Sequence, residues 1–250
     1  MDMKRIIIFF FVSLLSPASF VFADKSEIFV VCVGIADYRE ISDLRLPVED
    51  AKAVAGLYRT KTDNVVLITE KYATKAQILK SLKEQFCRAN ENDIIVFSFS
   101  GHGFQGGICP YDMSSYVNSG ITYDEIKSIL KQSRASRKII FADACFSGGI
   151  RGGAAGKNHI QNDTDVLLFL SSRTGEYSIE SSQMVNGLFT SYLVRGLRGG
   201  ADFNKDRKIT ARELFLFVSK GVKKISKGKQ HPVMWGKFNN NLILMDWSIK

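Results

Sequence analysis

Cysteine and proline are both rare in this sequence, which has four residues of each among 250. Four cysteines are too few for a miniature fold that relies on disulfides in place of a hydrophobic core. A mostly disordered chain is excluded as well, because 45% of the residues are hydrophobic and no long polar tract is present. The length predicts one large α/β domain or two small ones.

Histidine is rarer still, with three residues. No cysteines or histidines have the CxxC or HxxxH spacing that is typical of metal sites. A zinc-type site is therefore not expected.

Long hydrophobic runs are missing except at the start of the chain. There, two basic residues precede an apolar stretch that ends in the small residue Ala23. This predicts a signal peptide of residues 1–23 and an exported mature chain of residues 24–250, in a periplasm, at a cell surface or outside the cell. The alternative is an uncleaved membrane anchor, which the short run and Pro17 disfavour. No stable membrane span is expected in the mature chain.

Acidic residues are fewer than basic ones, and the formal charge is +9. The charges are scattered, with one dense basic cluster at residues 220–229 that has no interleaved aromatic residues. No nucleic-acid-binding signature is present, so no nucleic-acid partner is expected. The cluster is typical of a solvated helix end, and weak adhesion to anionic surfaces is the alternative.

Strands and helices alternate along the mature sequence. Apolar runs that indicate strands lie at residues 28–34, 65–68, 93–100, 137–142, 166–170 and 242–245. Segments with one apolar helical face separate most of them. This order predicts a three-layer α/β fold, with a mostly parallel sheet of about six strands and helices on both faces. A Gly- and Ala-rich loop at residues 148–162 divides a larger from a smaller part.

Two of these predicted strands end in reactive residues. His102 follows one strand and Cys145 the next, and sites in parallel sheets form beyond the carboxyl ends of strands. An imidazole can take the proton of a thiol, and N–H groups of flanking glycines can stabilise an oxyanion. The pair predicts acyl transfer, most simply peptide hydrolysis. The alternative is a cysteine that serves as a small core residue, which is the interpretation for Cys32 and Cys87.

These residues lie in longer motifs. Ser100-Gly101-His102-Gly103 is followed, 43 residues after the histidine, by Asp143-Ala144-Cys145-Phe146-Ser147-Gly148. The two motifs resemble those of the caspase-like cysteine peptidases, and the Asp-x-Cys form is closer to metacaspases and their bacterial relatives than to animal caspases. Further matches extend the resemblance over essentially the whole mature chain: Val33-Gly34-Ile35, Pro47-Val48-Glu49-Asp50-Ala51, Ser171-Ser172, Glu176-Tyr177-Ser178 and Gly187-Leu188-Phe189-Thr190.

The resemblance implies a caspase-like (caspase-hemoglobinase) fold over residues 24–250. Its large-subunit-like part would be residues 24–150 and its small-subunit-like part residues 163–250. Cys145 would be the nucleophile and His102 its base, while the N–H groups of Gly103 and Cys145 would form the oxyanion hole. This chemistry requires no cofactor.

The resemblance also implies a substrate preference. Asp50, Ser100 and Asp143 match positions that line a pocket for a basic side chain. Two carboxylates would favour Arg or Lys over Asp at the P1 position of a peptide or protein substrate. The alternatives are an exposed acid at a helix N-terminus for Asp50 and a purely structural role for Asp143.

The loop after the nucleophile contains two basic residues that such a pocket would accept. Self-cleavage is therefore predicted after Arg151 or Lys157, and an uncut surface loop is the alternative. The rival function for the whole chain is a catalytically silent binding or scaffold module, against which the intact pair of His102 and Cys145 argues.

Calcium is the one cofactor that the sequence suggests. The site best known in metacaspases is represented at most by Asp124, since Gly152 and its neighbours include no acid. A separate candidate has EF-hand spacing, with Arg207 where the loop normally has glycine. Its ligands would be Asp202, Asn204, Asp206, Lys208, Thr210 and Glu213. The alternative is an Asx-rich turn that leads into a helix capped by Thr210 with Glu213.

Two further properties stay open at the level of the sequence. Export would allow a disulfide between Cys87 and Cys109, but their separation in space cannot be read from the sequence. The oligomeric state is equally open.

Overall fold

The computed structural model describes residues 26–104, 106–114, 119–144, 166–172, 185–236 and 239–248. Its strands and helices, in chain order, are β1 (Ile28–Gly34), α1 (Pro47–Tyr58), β2 (Val65–Thr69), α2 (Lys75–Phe86), β3 (Ile94–Ser100), β4 (Gly103–Phe104), β5 (Gly107–Ile108), β6 (Ile121–Thr122), α3 (Tyr123–Gln132), β7 (Arg137–Asp143), β8 (Val166–Leu170), α4 (Leu188–Arg195), β9 (Lys208–Thr210), α5 (Ala211–Ile225), β10 (Val233–Trp235) and β11 (Ile243–Asp246).

Six strands form the main sheet, in the order β10-β8-β7-β3-β1-β2. The strands from β8 to β2 are parallel to their neighbours, and β10 runs antiparallel at one edge. The central strands are apolar along most of their length because both faces of the sheet are covered. The predicted mostly parallel sheet of about six strands is confirmed.

Successive residues of the central strands enter different hydrophobic cores. Phe29, Val31 and Val33 of β1 pack with α2 and α3 on one face of the sheet. Val30 and Cys32 pack with α1, α4 and α5 on the other face. This alternation gives the three predicted layers, with helices on both sides.

Local sequence signals determine where several helices begin. Pro47 is the first residue of α1, a position at which its missing N–H costs no hydrogen bond. α3 and α5 begin at reciprocal capping boxes, Thr122 with Glu125 and Thr210 with Glu213. Among the described residues, no helix is long and apolar enough to cross a membrane.

The last predicted strand belongs to a different sheet. Residues 242–245 overlap β11, which pairs antiparallel with β9 in a separate two-stranded sheet. The sixth strand of the main sheet is instead β10, which pairs with β8. With three residues, β10 is too short to show a hydrophobic period. The loop at residues 148–162 lies outside the described residues, so a division there stays a prediction.

Of the two cysteines predicted to lie in the core, one does and one does not. Cys32 is fully buried, as predicted. Cys87 is exposed at the end of α2, so its assignment to the core was wrong. The apolar stripe of α2 ends at Phe86, and the Cys87 thiol donates to the carbonyl oxygen of Glu84 at 3.3 Å. Cys87 and Cys109 are both free thiols and form no disulfide with each other.

Candidate active site

Residues of the histidine motif and the cysteine motif lie side by side at the carboxyl edge of the main sheet. Ser100 at the end of β3 is paired with Asp143 at the end of β7. The N–H of Gly101 then donates to the carbonyl oxygen of Asp143 at 3.2 Å. The histidine motif and the aspartate of the cysteine motif are therefore neighbours, as expected for adjacent parallel strands.

The ring of His102 is oriented by a backbone carbonyl. Its Nε2 lies 2.8 Å from the carbonyl oxygen of Ser42 and 3.5 Å from the hydroxyl of the same residue. A carbonyl oxygen can only accept, so Nε2 carries a hydrogen, and in the neutral imidazole the lone pair is then on Nδ1. The basic nitrogen of the imidazole is therefore Nδ1.

Tyr38 supports the same histidine from the loop after β1. Its hydroxyl accepts the backbone N–H of His102 at 2.7 Å, and the two rings lie 5.0 Å apart at a tilt of 46°. The intervening Gly101 is required by this contact, because a Cβ there would lie 2.5 Å from the Tyr38 hydroxyl. Burial raises the pKa of Tyr38 far above its usual range, so this phenol stays neutral.

Two carboxylates are buried at this edge of the sheet. Asp50 and Asp143 are 3% and 8% exposed. Asp50 accepts hydrogen bonds from the Ser100 hydroxyl at 2.9 Å and from the Gly187 N–H at 2.8 Å. One oxygen of Asp143 accepts from the hydroxyl of Thr190 at 2.9 Å and from its N–H at 3.3 Å. The first turn of α4 thus binds both carboxylates.

The two carboxylates converge on Gly187. A Cβ at this position would lie 2.7 Å from an oxygen of Asp143 and 3.0 Å from an oxygen of Asp50. Any larger residue would push the first turn of α4 away from the acids. Gly187 is therefore what permits α4 to begin between them.

Burial and mutual repulsion alter the ionisation of the pair. Burial, followed by the negative charge of Asp143, raises the pKa of Asp50 to about 8, and the hydrogen bonds from Gly187 and Ser100 act in the opposite direction. At neutral pH the pair therefore carries less than two full negative charges. A cation that enters between them would favour full ionisation. The alternative of an exposed acid for Asp50 is excluded.

The sequence left several contributors to the site unassigned. Gly187 and Thr190 were recognised as a matching motif, but no role followed from it. Ser42 acts through its backbone carbonyl, for which a sequence carries no signal. Tyr38 is one of eight tyrosines, and nothing local distinguishes it.

Other predicted residues are placed as follows. Cys145, Arg151 and Lys157 lie outside the described residues. Gly103 begins β4 and pairs with Ile108 of β5. The contribution of its N–H to an oxyanion hole stays a prediction.

The predicted calcium loop is a polar turn. Backbone N–H groups of Asp206 and Arg207 donate to Asp202, and the N–H of Lys208 donates to Asp206. Glu213 accepts from the N–H and hydroxyl of Thr210. The Asx-rich turn and the helix cap are thus confirmed, while calcium binding stays a prediction from the sequence.

No set of three or more His, Cys, Asp or Glu residues in the described ranges is arranged to hold a metal ion. Asp124 in particular is almost fully exposed and pairs with Lys127 at 3.2 Å.

A family model described as the caspase domain, Peptidase C14, matches residues 29–243. The chain therefore belongs to the caspase-domain family of cysteine peptidases.

Solved structures that share its fold include the following two. A protein from Geobacter sulfurreducens has a TM-score of 0.67 at 16% identity, and the match covers 88% of this chain and 98% of that one. Caspase-1 from Spodoptera frugiperda has a TM-score of 0.66 at 15% identity, with 90% and 92% covered. The caspase-like fold is thereby confirmed. No curated protein matches this sequence.

Proposed function

We propose that this chain is an exported, metacaspase-like cysteine endopeptidase that cleaves peptide bonds after Arg or Lys. Cys145 is the nucleophile and His102 its base. The observation that carries the proposal is the buried pair of Asp50 and Asp143 at the sheet edge that bears the histidine motif. Like charges buried side by side destabilise each other, and a substrate guanidinium or ammonium would neutralise them.

The proposed reaction begins with proton transfer from the thiol of Cys145 to Nδ1 of His102. The thiolate attacks the carbonyl carbon of the basic residue, and the N–H groups of Gly103 and Cys145 stabilise the oxyanion. The imidazolium donates its proton to the leaving amine, so the C–N bond breaks and a thioester remains. His102 then deprotonates a water molecule, which hydrolyses the thioester and restores the thiol.

The carbonyl of Ser42 supports each of these proton transfers. It accepts the Nε2–H, so the ring keeps one orientation while Nδ1 gains and loses its proton. It also stabilises the positive imidazolium, as the carboxylate does in serine peptidases. Two groups from the loop after β1, Ser42 and Tyr38, therefore position the base.

The test is cleavage of peptides that differ only at P1, carrying Arg, Lys, norleucine or Asp, by the chain from Asp24 onward. We expect cleavage after Arg and Lys and none after Asp. Cys145→Ala should abolish turnover, because it removes the nucleophile. Cys87→Ala is the matched control, since that thiol is exposed at the end of α2, before the amino end of β3, and it should retain full activity. An enzyme that cleaves after Asp and ignores Arg would contradict the assignment.

Thiol labelling separates this proposal from the silent module. Iodoacetamide or a peptidyl chloromethylketone should label Cys145 faster than Cys87, and a basic peptide should slow the labelling of Cys145 alone. A silent module would show neither effect.

Self-cleavage is a further consequence of the proposed specificity. Incubated wild-type protein should be cut after Arg151 or Lys157, and Cys145→Ala protein should stay whole, as read by intact mass. The two fragments should remain associated, because β7 and β8, on either side of the loop, are adjacent strands of one sheet. Wild-type protein that stays whole while fully active would rule out cleavage as a requirement for activity.

A further inference from the structure

The net positive charge of this chain is concentrated in one segment. Residues 195–229 contain eleven basic and three acidic residues, a formal excess of +8, while the whole chain carries +9. Basic residues occur throughout the sequence, but nearly all of their excess over acidic residues lies in this segment. The rest of the chain is therefore close to neutral.

The middle of this segment forms helix α5, which determines which of its side chains are exposed. One side of the helix is buried in the core, through Ala211, Leu214, Val218 and Val222. The other side is exposed and carries Arg212, Leu216, Lys220, Lys223 and Lys224. Spacings of three and four residues align these side chains along one side of a helix. We call the four cations Arg212, Lys220, Lys223 and Lys224 the basic face.

The cations of the basic face are not neutralised by the fold. Within the described parts of the chain, none of the four forms a salt bridge or a side-chain hydrogen bond. The one acid of α5, Glu213, has its carboxylate engaged by Thr210 in the helix cap. Lys227 and Lys229 continue the run of exposed lysines just beyond the helix. Such an array of exposed positive charges attracts anions.

We propose that the basic face docks on a bilayer surface that carries anionic phospholipid headgroups. From Arg212 to Lys224 the face is about 18 Å long, at 1.5 Å rise per residue. A rigid row of this kind complements a plane of negative charge better than a single anion. Leu216, 49% exposed within the row, adds an apolar contact of the kind that interfacial helices use.

The chemistry of the face favours headgroups over nucleic acid. Three of its four cations are lysines, whose ammonium groups are compact point charges, whereas recognition of nucleic acid commonly uses arginine forks and stacked aromatic rings. No aromatic side chain stands among the exposed residues of the face. Lysine clusters act on anionic membranes by summed attraction, which needs no specific geometry.

Docking at this face would bring the carboxyl edge of the sheet near the membrane. The chain just beyond α5 reaches that edge, because the side chain of Gln230 donates to the carbonyl oxygen of Ser171 at 2.9 Å. Ser171 in turn donates its N–H to Ala142 of β7 at 3.0 Å. The inference itself does not depend on peptidase activity.

The test is co-sedimentation of the chain from Asp24 onward, which contains every described residue, with vesicles of phosphatidylcholine alone or mixed equally with phosphatidylglycerol. We expect binding to the mixed vesicles only, lost in high salt because the Debye length falls from about 10 Å at 0.1 M to about 3 Å at 1 M. Lys220→Glu/Lys223→Glu/Lys224→Glu should lower the partition coefficient about a hundredfold or more, at about 1 kcal/mol per cation.

A second triple variant controls for net charge. Lys71→Glu/Lys80→Glu/Lys83→Glu makes the same change in charge at three exposed lysines on and beside α2, and it should bind almost as wild type does. Equal losses in the two variants would overturn the proposal, as would wild-type protein that ignores the mixed vesicles. Duplex DNA that displaces the protein from vesicles at low concentration would assign the face to nucleic acid instead. If the first triple variant does not fold, Lys220→Gln/Lys223→Gln/Lys224→Gln replaces it in the same comparison.

Discussion

The acids of the candidate site and the cations of α5 are both clusters of like charge, but the fold treats them differently. Asp50 and Asp143 are buried, and each is bound by hydrogen-bond donors from other elements. The basic face is exposed, and its charges are left to solvent. Buried like charges interact strongly and shift each other's pKa, whereas exposed ones are screened by water and salt.

The difference determines what a single substitution can do. One change in the buried pair should alter chemistry severalfold or more, because no water replaces the lost group. One change on the exposed face should do little, since the effect there comes from the number of cations. Substitutions in the two clusters can therefore separate the effect of buried charge from that of exposed charge.

Asp143→Ala should lower kcat/KM for Arg substrates by roughly one to three decades, on the order of 1–4 kcal/mol for a lost buried, charge-assisted pair. Activity on a norleucine substrate should fall less, because that side chain makes no ion pair. Steady-state kinetics on both peptides gives the comparison.

Asp124→Ala is the matched control for this substitution. It removes the same group from a site that is 91% exposed, so neither substrate should be affected. If Asp143→Ala lowers both substrates equally, the carboxylate supports the fold and does not bind the P1 residue.

Thr190→Val should weaken the same pocket by a smaller amount. Valine keeps the shape of threonine but removes the hydroxyl that donates to Asp143 at 2.9 Å. A hydrogen bond to a charged group contributes about 1.5–3 kcal/mol, so the Arg-to-norleucine ratio of kcat/KM should fall roughly tenfold. Thr190→Ser retains the hydroxyl and should restore the ratio. A loss shared by both substrates would mean a role in stability alone.

The contrast between these two residues shows how far the sequence could predict the site. Asp143 stands two residues before Cys145 in a motif that resembles a known family, so its proposed role in a pocket for the P1 residue came from that resemblance. Thr190 reaches the same carboxylate from α4, across 47 residues of sequence, and no local pattern indicates that contact. Backbone groups such as the Ser42 carbonyl leave no trace in the sequence at all.

The fold was predictable to a similar extent, for similar reasons. Strands β1, β3 and β7 are continuous apolar runs, so their burial on both faces is visible in composition. β10 is a three-residue edge strand after a proline, and three residues carry no pattern that would indicate its pairing with β8. The apolar run at residues 242–245 was long enough to be recognised as a strand. Its partner, β9, has only three residues and was too short to be recognised.

The pH dependence of specificity should reveal the ionisation of the pair. Because the pKa of Asp50 is raised to about 8, its charge appears as the pH rises through that value. The Arg-to-norleucine ratio should therefore increase, roughly fivefold, from pH 6 to pH 9. The ratio cancels any effect of pH on the catalytic steps that both substrates share. Asp50→Asn should make the ratio independent of pH.

The same raised pKa predicts the sign of a stability change. Between the unfolded value of 3.8 and the folded value of about 8, the native state binds the extra proton, so stability falls as the pH rises. Urea unfolding of wild-type protein should show this decrease through pH 8, and Asp50→Asn should reduce it. A wild-type midpoint that rises over this range would contradict the assignment.

Two glycine substitutions within residues 195–229 should have the smallest effects on stability, and the two effects should be opposite in sign. Arg207 has a φ of 65°, a left-handed conformation that costs a residue with a side chain about 1 kcal/mol. Glycine avoids this cost but loses more conformational entropy on folding, so Arg207→Gly should stabilise the protein by about 0.5 kcal/mol. Lys220→Gly lies within α5 and should destabilise by about 1 kcal/mol. Each change removes one positive charge from the same segment, so relief of repulsion would stabilise both variants alike. Opposite shifts of the urea midpoint would show that backbone conformation, not exposed charge, governs stability there, whereas two increases of equal size would reverse that conclusion.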